Sequence, residues 1–119
     1  MPAATRLVLV LTLGIVVAVP AAAQAPQSEC ASLLLAIAVQ DRTIDTAKRV
    51  LSPDEASCAF SDFTFPVTGD CAQVKEKANT DVQKRQAWTA ALVAWGESDR
   101  LRLRLRGVED KLGVTCSAR

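Results

Sequence analysis

Residues 100–106 read Arg-Leu-Arg-Leu-Arg-Leu-Arg. Strict alternation is the pattern of a strand with one wet face, and a strand here would need residues 63–67 as its partner. Helix is the stronger reading. Leucine and arginine are good helix formers and no residue of the run is β-branched. Leu101, Leu105, Val108 and Leu112 also fall on one helical stripe, with Leu103 alone off it. The run is therefore expected as helix, and the chain as all-α: a small disulfide-stapled helical bundle of three to four helices in one domain.

Outward from this run, Gly113 is the expected C-terminal stop, leaving Cys116 on a short tail. On the other side, a helix is expected over 71–95 with Asp70 as its cap, Val74, Ala78, Trp88, Leu92 and Trp95 on one side, and Asp81 paired with Lys84 and Arg85. Gly96 either ends that helix or kinks a longer one reaching Leu112. Ser52-Pro53-Asp54-Glu55 is a capping box with proline at the first helical position, so a short helix is expected from Pro53 to about Ser61. Residues 62–70, with alternating Phe63, Phe65 and Val67 before Thr68-Gly69-Asp70, read as extended chain ending in a turn. A first helix is expected over 29–51, capped by Ser28, with Leu33, Leu34, Ile37, Ile44, Ala47 and Leu51 forming a buried stripe. Residues 30–39 are apolar nearly all round, which predicts a central helix covered on several sides. Residues 24–28 read as a flexible lead-in.

The chain opens as an export signal. Arg6 precedes 13 weakly polar to apolar residues, Leu7 to Val19, and Pro20-Ala21-Ala22-Ala23 supplies the small residues a signal peptidase reads. A membrane-crossing helix needs about 20 residues, so a cleaved signal over 1–23 and a helical domain over 24–119 are expected, in a periplasmic or secreted protein with no membrane span after cleavage. The alanine-rich signal and the lack of glycosylation sequons fit a bacterial source.

Without Arg6 the chain carries 13 basic and 13 acidic residues. Zero net charge disfavours nucleic acid and anionic membranes as partners. The balance is uneven along the chain: residues 24–81 carry −4 and residues 82–119 carry +4. Two halves that fold against each other would neutralise; a basic half facing an acidic partner is the alternative.

Cys30, Cys58, Cys71 and Cys116 are an even number in an oxidising compartment. Of three pairings, Cys58–Cys71 with Cys30–Cys116 is favoured, the first closing a short loop and the second tying the chain ends. Cys30–Cys71 with Cys58–Cys116 is the rival. Without a CxxC motif a disulfide oxidoreductase is disfavoured.

The chain has no histidine and no tyrosine, which removes imidazole bases and every Ser-His or Cys-His nucleophile. No glycine-rich phosphate loop or calcium-loop spacing is present, and neither metal nor cofactor is expected. Asp41 and Asp45, four apart on one helix face, are the best-placed carboxylates for catalysis; pairing of Asp45 with Lys48 or Arg49 is the plainer reading.

Three features suit recognition instead. Phe60, Phe63 and Phe65 lie within six residues, followed by Pro66 and Val67, and are either a binding hot spot or caps on the core. Trp88 and Trp95 share a face with Leu92, as core or as a partner groove. Arg100, Arg102, Arg104 and Arg106 would splay to two sides of a helix, ion-paired with neighbouring acids or contacting an acidic protein. The function expected is an exported, non-enzymatic protein-binding module of the bacterial envelope or exterior, of the inhibitor, immunity, chaperone or adaptor type. A structural envelope component with a retained anchor is the second expectation, and a small carboxylate-based hydrolase the third.

Overall fold

Apolar stripes on two long helices decide the architecture. The computed structural model describes residues 21–116, in which four helices follow one another: α1 (Ala21–Val50), α2 (Pro53–Thr64), α3 (Gly69–Ala78) and α4 (Val82–Leu112). The export sequence expected over 1–23 lies outside the described residues, save 21–23, which open α1. The long helices α1 and α4 run antiparallel, and the short α2 and α3 pack beside one end of the pair.

That division gives two cores. At the end without α2 and α3, Leu33 and Ile37 of α1 meet Leu101 and Val108 of α4, with Leu34, Leu105 and Leu112 packed alongside. At the other end Ile44, Ala47 and Leu51 join Cys58 and Ala59 of α2, Ala78 of α3, and Ala87, Trp88, Ala91, Ala94 and Trp95 of α4. Trp88 is 2% exposed and Trp95 9%, so the tryptophan face is core. Small alanines flank both indoles, which lets the helices close around them.

Each core has a staple. Cys30–Cys116 joins the first third of α1 to the tail after α4, across 86 residues, and Cys58–Cys71 joins α2 to α3 across 13. By loop-closure entropy the short loop contributes about 3 kcal/mol and the long one between about 4 and 5. A domain is stable by only about 5–15 kcal/mol, so each staple is a large share of what holds this fold.

The arginine-leucine run is helical throughout. Leu101 is buried, Leu105 half-buried, and the off-stripe Leu103 is 66% exposed. Gly113 takes φ +68° and its amide donates to the Glu109 carbonyl, ending α4 where a left-handed residue was needed. Gly96 neither ends nor restarts the helix. A β-carbon there would stand 3.8 Å from the Phe63 ring.

Four boundaries differ from the sequence reading. Residues 21–28 are already helical in α1, so 24–28 are not a flexible lead-in and Ser28 is not a cap; the alanines and glutamines on either side of Pro26 are strong helix formers and carry the helix through it. α1 is also not covered on all sides: Leu35 is 69% and Val39 51% exposed. α2 runs on to Thr64, since Phe63 packs against Trp95 and Asp62 bonds to Trp88, interactions with α4 that the alternating pattern could not register. It stops at Phe65, whose extended backbone is what a residue before proline prefers. The helix expected over 71–95 is two helices. Asp81 caps α4, its Oδ1 accepting from the amides of Gln83 at 2.9 Å and Lys84 at 3.2 Å; the ion pairs expected of it with Lys84 and Arg85 do not form among the described residues, since the Lys84 ammonium reaches Glu55 instead. Thr68 rather than Asp70 stands at the N-cap of α3.

Candidate functional site

The capping box at Ser52 is formed in both directions. The Glu55 amide donates to Ser52 Oγ at 3.2 Å, and the Ser52 amide donates to Glu55 Oε1 at 2.8 Å. The free oxygen of Glu55 then accepts from Lys84 Nζ at 3.1 Å, so the cap of α2 also ties α2 to α4. Burial pushes the Glu55 carboxyl up, but the Ser52 amide and the Lys84 ammonium outweigh it and hold the group below its ordinary range.

About two turns further along, Asp62 joins four segments. Its Oδ2 accepts from Trp88 Nε1 at 2.9 Å and from Lys75 Nζ at 2.9 Å, while Oδ1 accepts from the Val67 amide at 3.4 Å. The side chain is only 6% exposed. Burial again pushes this carboxyl up, and the Trp88 and Lys75 hydrogen bonds outweigh it to leave the group below its ordinary range. Among the described residues no buried side-chain nitrogen or oxygen lacks a hydrogen-bond partner, as a satisfied interior requires.

These carboxylates fix the mount of the phenylalanines. Phe63 is half-buried, its ring 5.8 Å from Trp95. Phe60 meets Trp95 edge-on at 5.1 Å yet is 53% exposed, and Phe65 is 75% exposed. Phe60 forms a ridge between two clefts. On one side lie Lys48, Pro53, Ala56, Ser57 and Trp95; on the other lie Thr64, Phe65, Pro66, Val67 and Cys71. The three phenylalanines thus divide: Phe63 caps the core, while Phe60 and Phe65 stand out from a segment bounded by the Cys58–Cys71 bridge.

The arginines splay to two sides of α4, and three of the four are engaged within the chain. Arg100 pairs with Glu97 through two nitrogens. Arg102 reaches Asp41 Oδ2 at 3.2 Å and Ser98 Oγ at 3.2 Å, and Arg104 reaches Glu29 Oε1 at 3.5 Å. The last two cross from the basic half to the acidic half, as mutual neutralisation predicts. These side chains are exposed, so the pairs orient the helices more than they stabilise them. Arg106 makes no ion pair among the described residues.

Asp41 and Asp45 border a shallow cleft with Lys48, Ser98, Asp99 and Arg102. Asp41 is spent on Arg102, and neither Lys48 nor Arg49 forms an ion pair with Asp45 among the described residues. All four cysteines are in disulfides, so none offers a thiolate. Among the described residues no group of three or more His, Cys, Asp or Glu side chains could hold a metal ion.

Asp62 and Lys75 are not singled out by sequence, and Lys84 only as a partner of Asp81. Their signal lies in tertiary packing: an acid among three phenylalanines reads as solvated until α4 brings Trp88 against it. Glu55 was visible as a cap but not as the partner of Lys84, 29 positions away. No family model matches this sequence, and neither a curated protein nor a solved structure is significantly similar to it.

Proposed function

We propose that this chain is an exported, non-enzymatic protein-binding module, and that its recognition surface is formed by Phe60, Phe65, Pro66 and Val67. One observation carries the reading. Two phenylalanines are more than half exposed on a mount made rigid by a disulfide, a buried carboxylate and a packed Trp95. Exposed aromatic anchors are the usual carriers of binding energy at protein interfaces. Holding them in place beforehand removes the ordering cost that a flexible loop would incur on binding.

Export is supported by the signal-like residues 1–23 and by two disulfides, which persist in oxidising compartments. No helix among the described residues is long and apolar enough to cross a membrane. The partner class is another protein of the bacterial envelope or exterior, of the kind met by inhibitors, immunity proteins, chaperones or adaptors. With Arg100, Arg102 and Arg104 engaged inside the chain, the arginine run is assigned the lesser part, that of steering a partner by charge.

Site-specific photocross-linking in the native host tests this. A benzoylphenylalanine at position 65 keeps an aromatic ring there and should yield a discrete adduct with one other protein. The same group at position 114, where Val114 is also exposed, should not. Identical adducts at both positions, or none at 65, would refute the proposed surface.

A further inference from the structure

We infer that the groove between α1 and α4 binds the C-terminal end of an apolar peptide, with the terminal carboxylate held by Arg42. No residue of α2 or α3 lines this groove, so it is a second site, separate from the Phe60–Val67 surface. It offers about 620 Å³, inside the range of about 300–1,000 Å³ that ligand sites occupy.

The lining divides by chemistry. Ala47, Ala87 and Ala90 form the floor, and Val39 and Val50 extend it along α1. Alanines leave room there for the apolar side chains of an occupant. Thr46, Gln83 and Gln86 border this floor, and their side chains make no hydrogen bond among the described residues. Thr43, by contrast, is spent on the Val39 carbonyl at 3.2 Å. Two carboxamides and a hydroxyl supply donors and acceptors together, which is what a peptide main chain requires. An acyl chain laid in the same groove would cover these groups without pairing them, and that is unfavourable.

Charge sets the end group. Arg42 is the one charged residue of the lining; it is exposed and makes no ion pair among the described residues. A guanidinium holds a carboxylate through two parallel hydrogen bonds. The amides that open α4 add no second anion site, because Asp81 caps them. One cation therefore matches a carboxylate better than a phosphate of nearly two charges. From Val39 to Val50 the lining rises about 17 Å along α1, and an extended peptide rises about 3.3 Å per residue, so about five residues fit. Arg42 stands near one end of this run, which assigns it the chain end, with the peptide leading away towards Val50 and Gln83.

Heteronuclear NMR titration of the disulfide-intact chain tests this. The probes are acetyl-Val-Ala-Val-Ala-Leu as the free acid, the same peptide as its C-terminal amide, and dodecanoate. The free acid should shift amides of residues 39–50 and 83–90 saturably, with half-saturation below about 1 mM. The amidated peptide should bind more weakly by about ten-fold or more, the loss of a charge-assisted hydrogen bond. Arg42→Gln should abolish that preference, the acid then binding as weakly as the amide, while the helical spectrum stays that of the parent. Ala90→Leu, which fills the floor, should weaken acid and amide alike, and tests the site independently of Arg42. The inference is overturned by equal binding of acid and amide to the parent, by tighter binding of dodecanoate, or by shifts centred on residues 60–67. A preference for the acid that survives Arg42→Gln, or no saturable shift at all, overturns it too.

Discussion

At the scale of the residue, Asp62 does the most with the least exposure. It is the acceptor for the Trp88 indole, the partner of Lys75 and the anchor of the Val67 amide. Asp62→Ala leaves the indole N–H of a residue only 2% exposed without its acceptor, a loss of about 1–3 kcal/mol, to be read as a lower urea midpoint. Asp41→Ala, which frees Arg102 from a pair half-exposed on both sides, should cost no more than about 0.5 kcal/mol in the same assay. The pH dependence follows from the direction of the shifts. Asp62 and Glu55 are both held below their ordinary range in the fold, so the unfolded chain binds protons first as pH falls. Their contribution is complete above the ordinary carboxylate range and is lost as pH drops through the depressed folded values. Melting temperature should thus be level from about pH 5 to 7 and fall below about pH 4. Asp62→Ala should make that fall shallower. None of this was legible in the sequence, because burial of one carboxylate depends on three helices meeting.

At the scale of the element, the sequence was most informative where chemistry is local. Ser52-Pro53-Asp54-Glu55 announces the start of α2, Gly113 the end of α4, and the stripe Leu101, Leu105, Val108 and Leu112 decides helix over strand despite the alternation around it. It was least informative at the break between α3 and α4. There Asn79-Thr80-Asp81 interrupts a pattern that reads as continuous, and Asp81 serves as a cap. Asp81→Ala should lower stability by about 1 kcal/mol, measurable as a shift in urea midpoint with the helical spectrum otherwise retained. A shift of less than a few tenths would mean that packing of Trp88 and Ala87 alone sets where α4 begins. The 62–64 stretch failed for the opposite reason: the alternation of Phe63, Phe65 and Val67 mimics a strand, while contacts of Phe63 with Trp95 and of Asp62 with Trp88 make it helix as far as Thr64.

At the scale of the molecule, α1 and α4 form a stapled pair whose first end packs as two helices and whose second end gathers α2 and α3 around the tryptophans. The chain's uneven charge serves that pairing, through Arg102 with Asp41 and Arg104 with Glu29. Fold class and cysteine pairing could be read from spacing and compartment. The division of the phenylalanines could not, because Phe60 and Phe63 differ in which way α2 turns them and Phe65 stands just past its end. The central claim is that Phe60 and Phe65 are displayed for a partner while Phe63 serves the fold, and thermal melting beside binding kinetics tests it most directly. The protein trapped at position 65 supplies the binding arm. Phe60→Ala with Phe65→Ala should keep the melting temperature within about 4 °C of the parent and speed dissociation of that protein by about ten-fold or more, an anchor's worth of binding energy. Phe63→Ala should melt distinctly earlier, since truncating a fully buried phenylalanine costs about 3–5 kcal/mol and this one is half-buried. A Phe60/Phe65 variant that melts as early as the Phe63 variant, or that releases its partner at the parental rate, would contradict the account.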